Sequence, residues 1–193
     1  MTEPVVVARA LGALTRALAT AGLPYAIMGG IAAIVRGIPR HTNDVDVTVM
    51  GADADVERLL GLLAAEGIEP RIEDALPFAE ANQVLLLVHR PTDTPIDLSL
   101  GWLPFEEDAI RSAETVSIGG CPAPVVRPEH LIIYKAVAWR DRDREDIRRL
   151  VERYDATLPW GRIEAVVAEL AAAMDLPDRV EELTALRTAV RLA

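Results

Sequence analysis

Asp44 and Asp46 stand two residues apart in "NDVDVTVM", residues 43–50, where Val45, Val47 and Val49 alternate with them. Strict alternation is the period of a β-strand with one buried face. The valines therefore predict the core side, and Asp44, Asp46 and Thr48 the opposite side. Two carboxylates on one strand face, their Cα atoms about 6–7 Å apart, repel when bare and can converge on one cation. Hard oxygen donors suit magnesium, which commonly takes one or two carboxylates plus substrate phosphates. For the pair taken alone the simpler alternative is a polar strand face meeting water, because the D-x-D pattern is short and common.

The neighbours sharpen the choice. Gly29 and Gly30 lie between a strand candidate, "YAIM", and a short helix, "IAAIVRG". A turn of this kind lets backbone N–H groups approach a phosphate closely, and the helix N-terminus adds positive potential. A tight turn without a ligand would look the same. A phosphate-cradling turn followed within one short helix by a carboxylate pair nevertheless describes a nucleotide–magnesium site. Asp97, in "TPIDLSL", is flanked by Ile96 and Leu98 and so faces away from the core side of its own strand. A strand beside the acid pair would carry Asp97 to the same place. Two ions about 3.5–4 Å apart need bridging ligands, which three carboxylates on two strands can supply. Asp97 would then help hold the ion that activates the attacking hydroxyl, or act as base. A solvated strand-end aspartate is the alternative.

This set resembles the nucleotidyltransferase superfamily of the DNA polymerase β type, whose signature is a glycine pair or Gly-Ser, a spacer, an Asp-x-Asp strand and a third acid on a later strand. Here these fall on Gly29, Gly30, Asp44, Asp46 and Asp97. "GIPRHTNDVDV" is similar to the branch that holds the AbiEii-type toxins, with Gly37, Arg40 and Thr42 ahead of the acids. "RPEHLIIYKAVAWRDRDREDIRRL" resembles that branch's downstream block, through Pro128, Glu129, Leu131, Lys135, Arg140, Arg142, Asp143 and Asp146. The resemblance covers roughly residues 25–150. One departure is Gly30, where many members place a serine against a phosphate and this chain offers only backbone.

The resemblance implies metal binding by Asp44, Asp46 and Asp97, and nucleotide contacts from Gly29, Gly30, Arg40, Thr42 and Lys135. Lys135 and Asp143 would join the three acids in catalysis. On the residues alone, a lysine on the apolar face "LIIYKAVAW" needs a reason, and phosphates supply one. It could instead snorkel to the surface. Asp143 could orient that lysine or an arginine, or serve as a base; otherwise Asp143 and Asp146 cap their helix and pair with Arg148 and Arg149.

The elements that must position these residues divide the chain near residue 126. Residues 1–126 read as an α/β (α+β) domain: a nucleotidyltransferase-type small mixed sheet flanked by helices. Residues 127–193 read as a helical C-terminal domain of four segments. The first half predicts a helix over 5–21 stopped at Gly22, and the strands "YAIM", "DVDVTVM", "QVLLLVHR" and "PIDLSLGW". It predicts further helices at "DADVERLLGLLAAEG", with Asp53 as N-cap, and "PFEEDAIRSAE". "TVSIGGCPAPVV" reads as a strand followed by a Gly/Pro-rich connection. Trp102, Trp139 and Trp160 read as packing residues, and His41 is the one histidine close enough to the acids to matter.

A net charge of -10 speaks against generic nucleic-acid binding. Residues 127–162 are locally basic, with nine Lys/Arg against seven Asp/Glu, and Lys135 is the only lysine in the chain. A lone Cys121 excludes an intrachain disulfide. No membrane-spanning stretch or secretory signal is evident, and a cytoplasmic location is expected. The expected activity is magnesium-dependent transfer of a nucleoside monophosphate from an NTP to a hydroxyl, with one or two magnesium ions as cofactor. The resemblance implies an acceptor such as tRNA or a protein, in a toxin role with an antitoxin partner. The second expectation is an antibiotic nucleotidyltransferase acting on an aminoglycoside- or lincosamide-like small molecule, which an acidic protein suits. A third, of another class, is a nucleotide-binding module without transfer activity.

Overall fold

The computed structural model describes residues 3–51 and 55–192. Its elements in chain order are α1 (Glu3–Ala21), β1 (Tyr25–Ile27), α2 (Gly29–Val35), β2 (Val45–Met50), α3 (Val56–Ala65), β3 (Ile68–Pro70), α4 (Ala75–Asn82), β4 (Val84–His89), β5 (Thr94–Gly101), α5 (Pro104–Arg111), β6 (Glu114–Ile118), β7 (Cys121–Val125), α6 (Pro128–Ala138), α7 (Asp141–Tyr154), α8 (Trp160–Ala173) and α9 (Arg179–Leu192). They form two compact units. One comprises residues 1–35 and 39–126; the other comprises 36–38 and 127–193. No described helix is long and apolar enough to cross a membrane.

The first unit is built on one mixed sheet of order β3-β4-β5-β2-β1-β7-β6. Hydropathy dictates its faces. Val45, Val47 and Val49 of β2 and Ile96, Leu98 and Leu100 of β5 are buried, and α1 lies against both strands with Leu11, Leu14 and Leu18 fully enclosed. Asp46 and Asp97 alternate with these residues and are only partly covered, as the sequence pattern requires. β2 runs parallel to β5 and antiparallel to β1, so the acid strand is central, with neighbours on both edges.

Two differences from the sequence reading have clear causes. The Gly/Pro-rich connection is a strand: Gly119 (φ +58°) and Gly120 (φ +88°) form the two-residue turn of a β6–β7 hairpin. Positive φ at both centres is what the favoured hairpin turn demands. Pro122 and Pro124 then fall opposite Ser117 and Thr115, one position off the pair flanking the turn, where β7 gives no N–H to β6. Their missing donors face the β1 side, where only Ile27 and Val125 pair. Second, the residues between α3 and β4 carry β3 and α4, both too short for periodicity to show. Asp53 lies outside the described residues; the N-cap of α3 is Asp55, whose side chain accepts from Arg58 N at 2.9 Å.

In the second unit α6 packs against α7, α8 and α9. Its core includes Leu131, Ile132, Ile147, Leu150, Ile163, Val167 and Leu183. The segment 36–38 joins this unit through Tyr154, whose hydroxyl donates to Arg36 O at 3.0 Å. Trp160 is buried in α8, and Trp139 lies under the Arg179 guanidinium. Trp102, read as a packing residue, is instead 67% exposed, just after the last residue of β5.

Candidate active site

The acid face of the sheet brings the three predicted carboxylates to adjacent strands. Asp46 of β2 is directly opposite Asp97 of β5 in the parallel ladder, and Asp44 sits just before β2. Neighbouring strands are about 4.8 Å apart, so Asp46 and Asp97 would repel unless something offsets their charge. In the structure each carboxylate has a neighbour. Thr42 Oγ1 donates to Asp44 Oδ1 at 2.5 Å. Gly30 N donates to Asp46 Oδ2 at 3.2 Å. Arg71 Nη2 lies 2.7 Å from Asp97 Oδ1.

The glycine pair is explained by this packing. Met28 N donates to Asp46 O at 2.9 Å, which draws the start of α2 against β2. Gly29 has φ +60°, and a Cβ there would lie 1.8 Å from Asp46 Oδ2 and 2.7 Å from Asp46 Cβ. A Cβ on Gly30 would lie 2.2 Å from Thr42 Oγ1 and 3.4 Å from Arg40 Nη2. The glycines therefore leave room for the acid, the hydroxyl and the guanidinium, and the Gly30 N–H that sequence reasoning assigned to phosphate is directed at Asp46. Arg40, His41 and Thr42 also line a cavity of about 460 Å³ with Ile31, Ile34 and Val35.

Gly29→Ala is expected to destabilise the protein by about 2–3 kcal/mol. It combines a left-handed backbone with overpacking, and while the carboxylate can turn aside, Asp46 Cβ cannot. Thermal unfolding checks this, with Gly61→Ala as control. Gly61 lies inside α3 with nothing near its missing Cβ, and alanine there should stabilise by about 0.5–1 kcal/mol.

The donor set fits a divalent cation by its chemistry: carboxylates, all hard oxygen donors, two on facing strands and one just before β2. Among the described residues, however, no three acidic, histidine or cysteine side chains already converge on one point that could hold an ion. Arg71 is the residue that sequence reasoning missed. It follows β3 and reaches Asp97 from across β4, a juxtaposition only the strand order creates.

Lys135, Asp143 and Asp146 form a separate constellation within the helical unit. Lys135 is buried, its Nζ 3.2 Å from Asp143 Oδ1 and 2.6 Å from Asp146 Oδ2. Arg140 Nε donates to Asp143 Oδ2 at 2.6 Å, and Arg140 N donates to the same oxygen at 3.2 Å, capping α7. Burial pushes the Asp143 carboxyl up, but Arg140 and Lys135 together bring it below the ordinary aspartate range. Pairing with Arg148 and Arg149 is not what these aspartates do: Arg149 pairs with Glu145, while both aspartates turn inward to Lys135.

Comparison with known proteins agrees with this architecture. Residues 101–183 match the model of a family described as "Nucleotidyl transferase of unknown function (DUF2204)". An antigenic nucleotidyltransferase-like protein from Paracoccidioides brasiliensis is 16% identical, with 93% of each chain covered and a TM-score of 0.54. The structure of ANT(2'')-Ia in complex with adenylyl-2''-tobramycin is 20% identical, with 94% of each chain covered and a TM-score of 0.47. No curated protein matches the chain. The fold is nucleotidyltransferase-like, and the family match falls on the last strand residue of the acid-bearing β5 and most of the helices that follow it.

Proposed function

We propose that this chain transfers a nucleoside monophosphate from an NTP to an acceptor hydroxyl, with Asp44, Asp46 and Asp97 as ligands of magnesium. The observation that carries the reading is the in-register pairing of Asp46 with Asp97 on parallel strands, with Asp44 two residues before Asp46. In the reaction the acceptor oxygen forms a bond to the α-phosphorus. The bond from that phosphorus to the bridging oxygen breaks, pyrophosphate leaves, and the hydroxyl's proton passes to solvent water. Bound magnesium supplies positive charge that acidifies the attacking hydroxyl and steadies the leaving pyrophosphate.

The chain's own residues have the following roles. Gly29 allows Asp46 to approach the turn, and the Gly30 N–H fixes its carboxylate. Thr42 orients Asp44. Arg40, beside Gly30, offers a guanidinium to the triphosphate, a polyanion for which its forked donors are suited. Asp97 completes the ligand set. The sequence resemblance alone supports Lys135 as a phosphate ligand and Asp143 as the group that orients it; the burial of Lys135 between Asp143 and Asp146 favours a holding role inside the helical unit instead.

The resemblance to AbiEii-type proteins supports an RNA or protein acceptor and a toxin role held in check by an antitoxin. The net charge of -10 supports a second reading, a cationic small molecule as acceptor. Incubation with each α-labelled NTP, magnesium, total RNA, cell protein and aminoglycosides separates these readings. Label on RNA or protein is the expected result, and label on the drug selects the second reading. NTP binding without transfer in any mixture would leave a nucleotide-binding module and overturn the enzyme reading.

A further inference from the structure

Asp97 is held by a guanidinium from across a neighbouring strand. Arg71 is anchored by its own backbone, Arg71 N donating to Leu86 O at 3.0 Å, and by Nη1 donating to Leu87 O at 3.2 Å. Leu86 is the residue of β4 directly opposite Asp97 on β5. The side chain therefore crosses one full strand to bring Nη2 within 2.7 Å of Asp97 Oδ1. That oxygen is shielded from solvent and accepts no hydrogen bond of regular geometry. The contact is a charge pair rather than a fixed directional bond. Both side chains stay about one-third exposed, at 32% and 37%, so the guanidinium has a path outward to water.

Opposite Asp97 in the ladder stands Asp46, whose Oδ2 takes the Gly30 N–H. The Arg71 guanidinium thus supplies a full positive charge at one of the two facing acids. A divalent ion coordinated through Asp97 Oδ1 would need the oxygen lone pairs that face the Arg71 guanidinium, and would displace it.

We propose that Arg71 is a positioning residue of this site: a built-in counter-ion that keeps Asp97 placed, competes with the divalent ion for its carboxylate, and is released when the ion binds. This inference rests on the reading of Asp44, Asp46 and Asp97 as metal ligands and adds to it a residue outside the family's signature. A guanidinium is the right group for it, because it stays charged at all physiological pH and can hold a backbone carbonyl with one arm while the other holds the carboxylate.

Binding of manganese to the full chain without nucleotide, read as loss of the free-ion signal in electron paramagnetic resonance, tests the inference without reference to activity. Arg71→Met keeps the aliphatic stem and removes the charge. It is expected to tighten manganese binding about two- to fivefold, the size of a partly exposed ion pair. Arg71→Gln should give the same gain, since a gain shared by two different neutral side chains cannot come from misfolding. Arg71→Lys, which keeps the charge, should bind close to wild type. Binding unchanged or weakened in both neutral variants, while Asp46→Asn abolishes it, would overturn the role of Arg71 and leave the metal site standing. No manganese binding by the wild type, with no effect of Asp46→Asn, would overturn the metal-site reading and the role of Arg71 with it.

Discussion

Replacing Asp46 with asparagine is expected to lower the rate of nucleotide transfer about a thousandfold, with the protein still folded. The size corresponds to removing one preorganised electrostatic stabiliser, about 4 kcal/mol of transition-state energy. Folding should survive because asparagine has nearly the same shape and its amide oxygen can still accept the Gly30 N–H that Asp46 accepts at 3.2 Å. The main-chain bond from Met28 N to residue 46 O is untouched. What is lost is one negative charge between Asp44 and Asp97, and with it the charge set that attracts a divalent cation. Single-turnover transfer of label, alongside a thermal melt, checks both halves. A variant that melts like wild type and keeps more than about a tenth of its activity would not be compatible with Asp46 as a metal ligand.

Lys135→Met should have the largest effect on stability, about 3–5 kcal/mol, because it removes one partner from a buried ionic network. Lys135 is 5% exposed, Asp143 1% and Asp146 5%, so water cannot replace the missing ammonium. Arg140 remains at Asp143, but its own side chain is more than half exposed and reaches the carboxylate from the outer side. Acid sensitivity follows from the same network. The Asp143 carboxyl is held below its ordinary value of 3.8, so its contribution to stability is fully present above that pH. It is lost as the pH falls through the lower, folded-state value. In Lys135→Met one of the two lowering charges is gone, so the acid unfolding midpoint should move upward. Circular dichroism during acid titration reads this directly. A midpoint that stays in place or moves down would contradict the assignment of Lys135 as a holding charge on Asp143.

What the chain reveals in one dimension depends on the range of the interaction. The acid strand, its valine face and the outward direction of Asp97 follow from alternation, which is local and strong. The four C-terminal helical segments follow from prolines and an aspartate at their first turns, though α7 begins at Asp141, two residues before the segment "DREDIRRLVERY" that the sequence suggests. β7 did not, because Pro122 and Pro124 argue against a strand until the register shows that neither is asked for a hydrogen bond on the β6 side. Asp55 was passed over as the cap of α3 because Asp53 offers the same chemistry two residues earlier. The engagement of Lys135 with both aspartates was half legible: the residues were singled out, but periodicity cannot say that both carboxylates turn inward rather than to Arg148 and Arg149. Arg71 left no local signal, since its partner comes to it only by way of the β3-β4-β5 strand order.

The glycine pair shows how one motif can carry two explanations. As a sequence it suggests backbone brought close to phosphate. In three dimensions the missing Cβ of Gly29 is the space that Asp46 occupies, and that of Gly30 is the space of Thr42. Both glycines thereby help place the acids, and a nucleotide site built there would depend on them even before a phosphate touches the turn.

The most direct measurement is anomalous diffraction from crystals soaked with manganese and a non-hydrolysable NTP. The account predicts anomalous density within about 2.0–2.3 Å of carboxylate oxygens of Asp46 and Asp97, the triphosphate beside it, and the Arg71 guanidinium withdrawn from Asp97. Nucleotide bound elsewhere, or bound at this face with no ion on these carboxylates and Arg71 still paired to Asp97, would contradict it.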